Sequence, residues 1–263
     1  MAKLSIGRAW DETTKLLVSE RRLLVPIALA FLFLPVTLSA LAAPNAPPKN
    51  PAEALSVVTG ITLLLGLVGR LAISLLATGW HGRLVELLGR AAKRLLPLVI
   101  ALAMVMIPLA TLFVFAGRLL PPPGADPASI PLGQALLGLV LLIAMLVLTL
   151  VAAARLILPL VPVAAIEDGG PIALLKRSWQ ISRGHFWRLL ALVMLIGIAA
   201  IVLLLAVQSV VGSVATLLIG KPDPWSVSRL VVALAAALVQ TVVITVGSVV
   251  VARTYVQLAA PDA

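Results

Sequence analysis

Residues Leu132 to Ile166 read LGQALLGLVLLIAMLVLTLVAAARLILPLVPVAAI, and Arg155 is the only charged residue among them. A transmembrane helix needs about 20 apolar residues, because each residue advances the helix by about 1.5 Å across a hydrocarbon core of about 30 Å. The whole chain of 263 residues is 62% hydrophobic and 11% charged, whereas soluble domains are about 45–50% apolar and about 25% charged. The composition excludes a soluble protein and predicts an integral membrane protein.

Six apolar runs of spanning length follow one another along the chain. The sequence therefore predicts an all-α integral membrane protein with six transmembrane helices in a single membrane domain, residues 1–263. We expect Pro159 and Pro162 to break the fourth run near its end. The first run also resembles a signal peptide with a small-residue cleavage site at Ala40-Leu41-Ala42, and cleavage there would leave five spans. The predicted spans are Leu24–Ala43, Ala54–Gly79, Pro97–Leu120, Leu132–Ile166, Leu189–Ile219 and Leu230–Ala252.

Positive charge is distributed unevenly between two kinds of loop. The chain carries 20 Lys and Arg against 10 Asp and Glu, a net charge of +10. Most of the Lys and Arg lie in the N-terminal segment, in residues 80–96 and in residues 167–188, whereas loops 44–53, 121–131 and 220–229 are proline-rich and nearly free of them. By the positive-inside rule, both termini are cytoplasmic. All five Trp residues lie at or beside predicted span ends, as in an aromatic belt.

The three basic segments have apolar residues at helical spacing and basic residues on the opposite face. In the first segment, the apolar face consists of Ile6, Trp10, Thr13 and Leu17. We interpret the segments as amphipathic helices that lie in the interface and direct Lys and Arg toward lipid phosphates. The alternative is that they are connectors that pack on the bundle. The residues predicted to lie at this interface are Arg8, Trp10, Arg83, Arg90, Arg94, Lys176, Arg177, Trp179, Arg183, His185 and Arg188.

Each basic segment precedes a pair of predicted spans. The chain therefore resembles three parallel copies of one unit, an interfacial helix followed by a transmembrane hairpin, at about residues 1–80, 81–166 and 167–263.

Arg70 and Arg155 each lie well inside a predicted span. A charged residue in hydrocarbon costs on the order of 2.5–3.5 kcal/mol on insertion scales, so both are candidate functional residues. Counting the separation of Arg70 and Arg155 once more from Arg155 leads to Gln240 in the sixth span. We hypothesise that Arg70, Arg155 and Gln240 face inward and bind an anionic headgroup or carboxylate. The alternative is that each arginine extends its stem to the headgroups at the membrane surface.

Residues that could support catalysis are scarce. The chain has no Cys, and its two histidines, His81 and His185, lie in basic segments without metal-ligand spacing. Glu167 and Asp168 precede a basic helix, and carboxylates at such a position favour an N-cap over a metal site. The sequence therefore predicts no catalytic residue, no metal site and no cofactor, and the basic composition of a membrane protein favours lipid over nucleic acid as the partner.

A proline-rich span end, an acidic-glycine turn and a basic helix with tryptophan follow one another in residues 155–195. The pairs that mark this pattern are Gly170-Pro171, Ser178-Trp179, Arg183-Gly184 and Phe186-Trp187. Over these residues the chain resembles the glycerophosphoryl diester phosphodiesterase membrane-domain family, polytopic bacterial membrane proteins of largely unknown role. The resemblance implies a bacterial inner membrane and a link to phospholipid headgroups. It implies no phosphodiesterase activity, because the acidic and histidine clusters of the catalytic barrel that some members carry have no counterpart in this sequence.

These observations together predict a non-enzymatic inner-membrane protein that binds anionic phospholipid or a similar amphiphile, as a component of lipid handling or transport. One alternative is a membrane scaffold that binds a protein partner through its basic cytoplasmic helices. A less favoured alternative is an enzyme that acts on a lipid phosphate with His185 and either Glu167 or Asp168.

Overall fold

A computed structural model describes residues 6–42, 57–80, 82–120, 131–220 and 226–259 of the chain. The described residues form helices and no strand. Six helices among them are long and apolar enough to cross a membrane, which confirms the predicted all-α fold with six candidate spans. These helices are Arg21–Leu41, Val57–Ala77, Leu84–Arg118, Leu132–Ile166, Phe186–Leu218 and Val227–Ala259.

Two π-helical segments, Leu29–Phe33 and Ala153–Ile157, interrupt the α-helical spacing of the first and fourth spans without ending them. Two shorter helices, Ile6–Ser19 and Pro171–Ser182, lie outside the spans. In chain order the α-helices are α1 (Ile6–Ser19), α2 (Arg21–Ala28), α3 (Leu34–Ala42), α4 (Val57–Ala77), α5 (Leu84–Arg118), α6 (Leu132–Ala152), α7 (Leu158–Ile166), α8 (Pro171–Ser182), α9 (Phe186–Leu218) and α10 (Val227–Ala259).

The fourth span continues through its two prolines. Pro159 lies in the first turn of α7 and Pro162 in its interior, yet the helix extends to Ile166. The π-helical segment immediately before α7 widens the hydrogen-bond spacing, which is one way in which membrane helices accommodate the donor that proline lacks. The predicted break was therefore wrong, since the sequence pattern indicated the missing donor but not the local change of helix type.

The second basic segment is continuous with the third span. Helix α5 contains both of them in one element of 35 residues. By contrast, α8 is separated from α9 by a turn in which Gly184 has a positive φ of 81°, a conformation that favours glycine. The three predicted units therefore differ in how the basic helix joins its hairpin, and the threefold repeat stays a prediction.

Helix α1 packs against α10 rather than lying apart from the bundle. Its buried residues are Ala9, Thr13 and Leu16, whereas Trp10 is 50% exposed. The face that contacts the protein is thus rotated by about one residue from the predicted apolar face. Helix α8 likewise contacts α5 and α7. Both helices pack on the bundle with one face, as the alternative interpretation proposed, and their opposite faces are exposed.

The buried core lies toward one end of the bundle, which we call the basic end because α1, α8 and the C-terminal part of α10 meet there. Its largest members are aliphatic, among them Ile27, Leu71, Leu98 and Leu160. Toward the opposite end burial declines, and α6 contains no buried residue. Exposed aliphatic side chains on α5, α6 and α9 are suited to contact acyl chains, because lipid tails are as apolar as leucine.

The first span approaches α4 closely at Gly69. A Cβ atom at this position would lie 2.9 Å from the Cβ of Phe31, so only glycine permits the observed distance between the two helices. The Thr62 hydroxyl of α4 donates to the Pro35 carbonyl at 3.3 Å, and Arg229 Nε of α10 donates to the Ala40 carbonyl at 3.1 Å. These contacts hold the first span against α4 and α10 and place Arg70 immediately beside this packed region.

Candidate anion site within the spans

A cavity of about 200 Å³ lies between α4, the end of the fourth span, α9 and α10. Arg70 and Ser74 of α4 line it together, because residues four apart lie on the same face of a helix. Most of the remaining wall is aliphatic and includes Ile157, Val161 and Ile244. The cavity therefore combines an apolar wall with one cationic side chain.

Neither Arg70 nor Ser74 has a side-chain partner among the described residues. Arg70 forms no ion pair or hydrogen bond with a described residue. Ser74 is 1% exposed, and its Oγ lacks a hydrogen-bond partner. A buried polar group without a partner costs about 1–3 kcal/mol, and more when it is charged. An anion between the guanidinium and the hydroxyl would give both groups an acceptor.

Arg155 points elsewhere. Its guanidinium carbon lies 4.6 Å from the centre of the Trp179 ring and 5.0 Å from the centre of the Phe186 ring. These rings belong to α8 and to the first turn of α9, so the side chain extends toward the basic end. Cation–π contacts of this kind contribute about 0.5–2 kcal/mol each. The geometry is that of the alternative interpretation, in which the long stem of Arg155 reaches toward the membrane surface.

Gln240 is half-buried on α10 and is not among the residues that line the cavity. Val243 and Ile244, about one turn further along α10, do line the cavity. The cavity thus contains Arg70 but neither Arg155 nor Gln240, and the equal spacing of the three residues does not bring them to one site. Ser74 was not predicted from the sequence, although its position four residues after Arg70 within a span was a usable signal.

A network of charged and polar side chains at the basic end centres on Glu167. Its Oε1 accepts hydrogen bonds of 2.8 Å from Arg177 Nε and from the Tyr255 hydroxyl. Arg94 donates to the Glu167 carbonyl and forms an ion pair with Asp168. The hydrogen bond with Glu167 raises the pKa of the Arg177 guanidinium, against the lowering effect of partial burial. The network links α5, α8 and α10.

The role predicted for Glu167 and Asp168 as an N-cap was wrong. Helix α8 begins at Pro171 after Gly170, and no side chain caps it. Both carboxylates instead bind arginines, because the loop before α8 runs past Arg94 and Arg177. An enzyme that used these carboxylates would first have to release them from those ion pairs.

The other residues predicted at the interface lie on the surface of the basic end or at helix ends. Arg90 stacks on Trp80 with its guanidinium carbon 4.1 Å from the ring centre. His185 is half-buried and immediately precedes α9. His81 lies outside the described residues. Exposed side chains among the predicted set are Arg8, Trp10, Arg83, Arg90, Lys176, Trp179, Arg183 and Arg188.

The fold and the cavity define an all-α membrane protein whose spans line a largely apolar cavity with one arginine. Residues 22–258 match the model of a family described as Domain of unknown function (DUF7847), and the chain belongs to this family. No curated protein matches the chain. No solved structure matches it. The family assignment supplies no activity, and the resemblance to the glycerophosphoryl diester phosphodiesterase membrane-domain family stays a prediction.

Proposed function

We propose that this protein is a non-enzymatic bacterial inner-membrane protein that binds the headgroup of an anionic phospholipid, or of a similar anionic amphiphile, in the Arg70 cavity. The observation that carries the proposal is the unpartnered guanidinium of Arg70 beside the unpartnered hydroxyl of Ser74. Charged residues inside spans are expensive and usually pair with one another, bind a ligand or line a pathway.

The size and lining of the cavity support a headgroup as the ligand. Its volume is about 200 Å³, below the roughly 300–1,000 Å³ of pockets that enclose a whole drug-sized molecule. A phosphate fits the planar donors of an arginine, which bind two oxygens at once. The aliphatic wall at Ile157 and Val161 suits the beginning of an acyl chain.

The charge distribution supports an orientation with both termini in the cytoplasm. Lys and Arg are concentrated on α1 and the start of α2, on the first turns of α5, and on α8 and the residues that follow it, and positive charge marks the cytoplasmic side. Arg70 lies seven residues before the end of α4 at Ala77, so it is about 10 Å of helix from the basic end. A headgroup from the inner leaflet would need to move only a short distance to reach it.

Lipid retention by the purified protein tests the proposal. The full chain in detergent is titrated with phosphatidylglycerol, and bound lipid is counted by native mass spectrometry. We expect Arg70→Gln to weaken binding by about tenfold or more, because a hydrogen bond to a charged group contributes about 1.5–3 kcal/mol. Ser74→Ala, which removes only the hydroxyl, should weaken it by a smaller factor.

Arg118→Gln is the matched control, because Arg118 is exposed at the far end of α5 and lies 5.8 Å from the Phe115 ring centre. This variant loses the same charge outside the cavity and should bind lipid like the unaltered protein. The proposal fails if Arg70→Gln retains phosphatidylglycerol as well as Arg118→Gln does.

A membrane scaffold that recruits a protein partner is the second candidate function. Its basis is the exposed basic surface of α1, α8 and the residue after α8, with Arg8, Lys176 and Arg183 among the exposed residues. Arg94 and Arg177 of the same basic end bind Glu167 and Asp168 instead. The basic surface is therefore smaller than the sequence indicated, which favours the lipid proposal.

A further inference from the structure

A second pocket, of about 320 Å³, lies at the basic end between α1, the residues that follow α4 and the last turns of α10. It is separate from the Arg70 cavity, and the two share no lining residue. Charged side chains of both signs line it: Glu12, Lys15, Glu20 and Arg253. Such a lining is unlike that of a site for a simple anion.

Two N–H donors of residues that line this pocket have no acceptor among the described residues. Trp80 Nε1 and Arg253 Nε are both buried without a hydrogen-bond partner among the described residues. Arg90 stacks on the face of the Trp80 ring at 4.1 Å, which restrains the orientation of the indole. A buried donor without a partner costs about 1–3 kcal/mol, so two of them in one pocket indicate an acceptor that the protein itself does not supply.

Two carboxylates in the same pocket are also without ion pairs. Glu12 and Glu20 are half-buried, and neither forms a salt bridge within the described chain. They would repel a purely anionic ligand and attract an ammonium group. The pocket therefore offers N–H donors for an anionic group and carboxylates for a cationic one.

We propose that this pocket binds a phospholipid headgroup that carries a primary ammonium beside its phosphate, as phosphatidylethanolamine does. The phosphate accepts hydrogen bonds from Trp80 Nε1 and Arg253 Nε, and the ammonium donates to Glu12 and Glu20. A quaternary ammonium such as choline has no N–H to donate, so the carboxylates distinguish the two headgroups. A lipid is the source because Leu16 and Leu76 provide apolar lining where α4 ends, at the expected depth of headgroups.

The test measures thermal stabilisation of the detergent-solubilised full chain by added lipid. Phosphatidylethanolamine should raise the unfolding midpoint, and phosphatidylcholine should do so much less. Free phosphoethanolamine is the second arm, since it has the same headgroup chemistry without acyl chains. If free phosphoethanolamine stabilises the protein as much as phosphatidylethanolamine does, the ligand is not a lipid. If phosphatidylethanolamine and phosphatidylcholine stabilise it equally, the pocket does not recognise the ammonium.

Variants locate the effect. Trp80→Phe keeps an aromatic ring beside Arg90 and removes the N–H together with part of the indole. It should weaken the binding of phosphatidylethanolamine about tenfold, the effect of about 1.4 kcal/mol. Glu20→Gln, a conservative change in the same pocket, should reduce the preference for phosphatidylethanolamine over phosphatidylcholine. This second variant keeps the test possible if Trp80→Phe does not fold. If both variants respond as the unaltered protein does, the proposal is wrong.

Arg70→Gln separates this proposal from the lipid site within the spans. It should lose phosphatidylglycerol and keep the response to phosphatidylethanolamine, whereas Trp80→Phe should show the opposite pattern. A parallel loss of both lipids in both variants would contradict the existence of two sites.

Discussion

Replacing Arg70 by leucine should make the lipid-free protein more stable. The guanidinium lies in a largely apolar cavity of about 200 Å³ without a described partner, and a charged residue in a span costs on the order of 2.5–3.5 kcal/mol. Leucine removes that cost and adds apolar contacts with neighbours such as Ile244. Most single substitutions are destabilising by about 1 kcal/mol, so a gain in stability would be a specific signature of an unpaired charge.

The gain should appear as a higher midpoint of thermal unfolding. In a chain of this size 1 kcal/mol corresponds to about 2–4 °C, so the expected increase is on the order of 5–10 °C in detergent without anionic lipid. Intrinsic tryptophan fluorescence can follow the transition. Phosphatidylglycerol should raise the midpoint of the unaltered protein and leave that of Arg70→Leu nearly unchanged, because the variant has lost the group that binds the phosphate.

A fall in the midpoint of Arg70→Leu by a similar amount would refute this reasoning. Such a result would mean that Arg70 makes a stabilising contact with the protein and that its charge is not left unpaired for a ligand.

Three further predictions concern packing and orientation. Arg155→Leu should lower the stability, in contrast to Arg70→Leu, by about 1–2 kcal/mol through loss of the cation–π contacts. A double-mutant cycle with Trp179→Leu should give a coupling energy of about 0.5 kcal/mol or more. A coupling energy of zero would contradict the contact between Arg155 and Trp179. Gly69→Ala should destabilise the protein by about 1–3 kcal/mol in a chemical unfolding experiment, because its methyl group meets Phe31. Gly66→Ala is the control and should be neutral or stabilising, since Gly66 has open space around it. Equal effects of the two substitutions would contradict the close approach of the helices at Gly69. The chain has no cysteine, so Val18→Cys on the exposed face of α1 introduces a single labelling site. This cysteine should react with an impermeant maleimide only after spheroplasts are lysed. Labelling of intact spheroplasts would contradict the proposed orientation.

The six spans could be predicted from sequence because the signal is long and one-dimensional. A run such as residues 132–166 needs only its length and its lack of charge to be recognised, and its bounds were confirmed. The helix that contains the second basic segment was divided incorrectly, since composition changes near Pro97 while the backbone continues without a break. A change in polarity along the chain therefore does not by itself mark the end of a helix.

The candidate site was only partly predictable, because side-chain partners come from distant parts of the chain. Arg70 and Arg155 present the same sequence signal, one arginine in an apolar run, and their environments differ through Trp179 and Phe186, which lie on other helices. Likewise, nothing in the local sequence of Glu167 indicates that Tyr255, 88 residues away, donates to it. The equal spacing of Arg70, Arg155 and Gln240 did not place the three side chains in one cavity.

An experimental structure of the full chain in a bilayer that contains phosphatidylglycerol, at a resolution that shows the lipid phosphate, would show directly whether Arg70 binds that phosphate. We predict phosphate density within hydrogen-bonding distance of the Arg70 guanidinium, about 2.7–2.9 Å from its nitrogens, with the Ser74 hydroxyl as a second donor. A cavity filled by protein side chains, or an Arg70 guanidinium paired with a protein carboxylate, would contradict it.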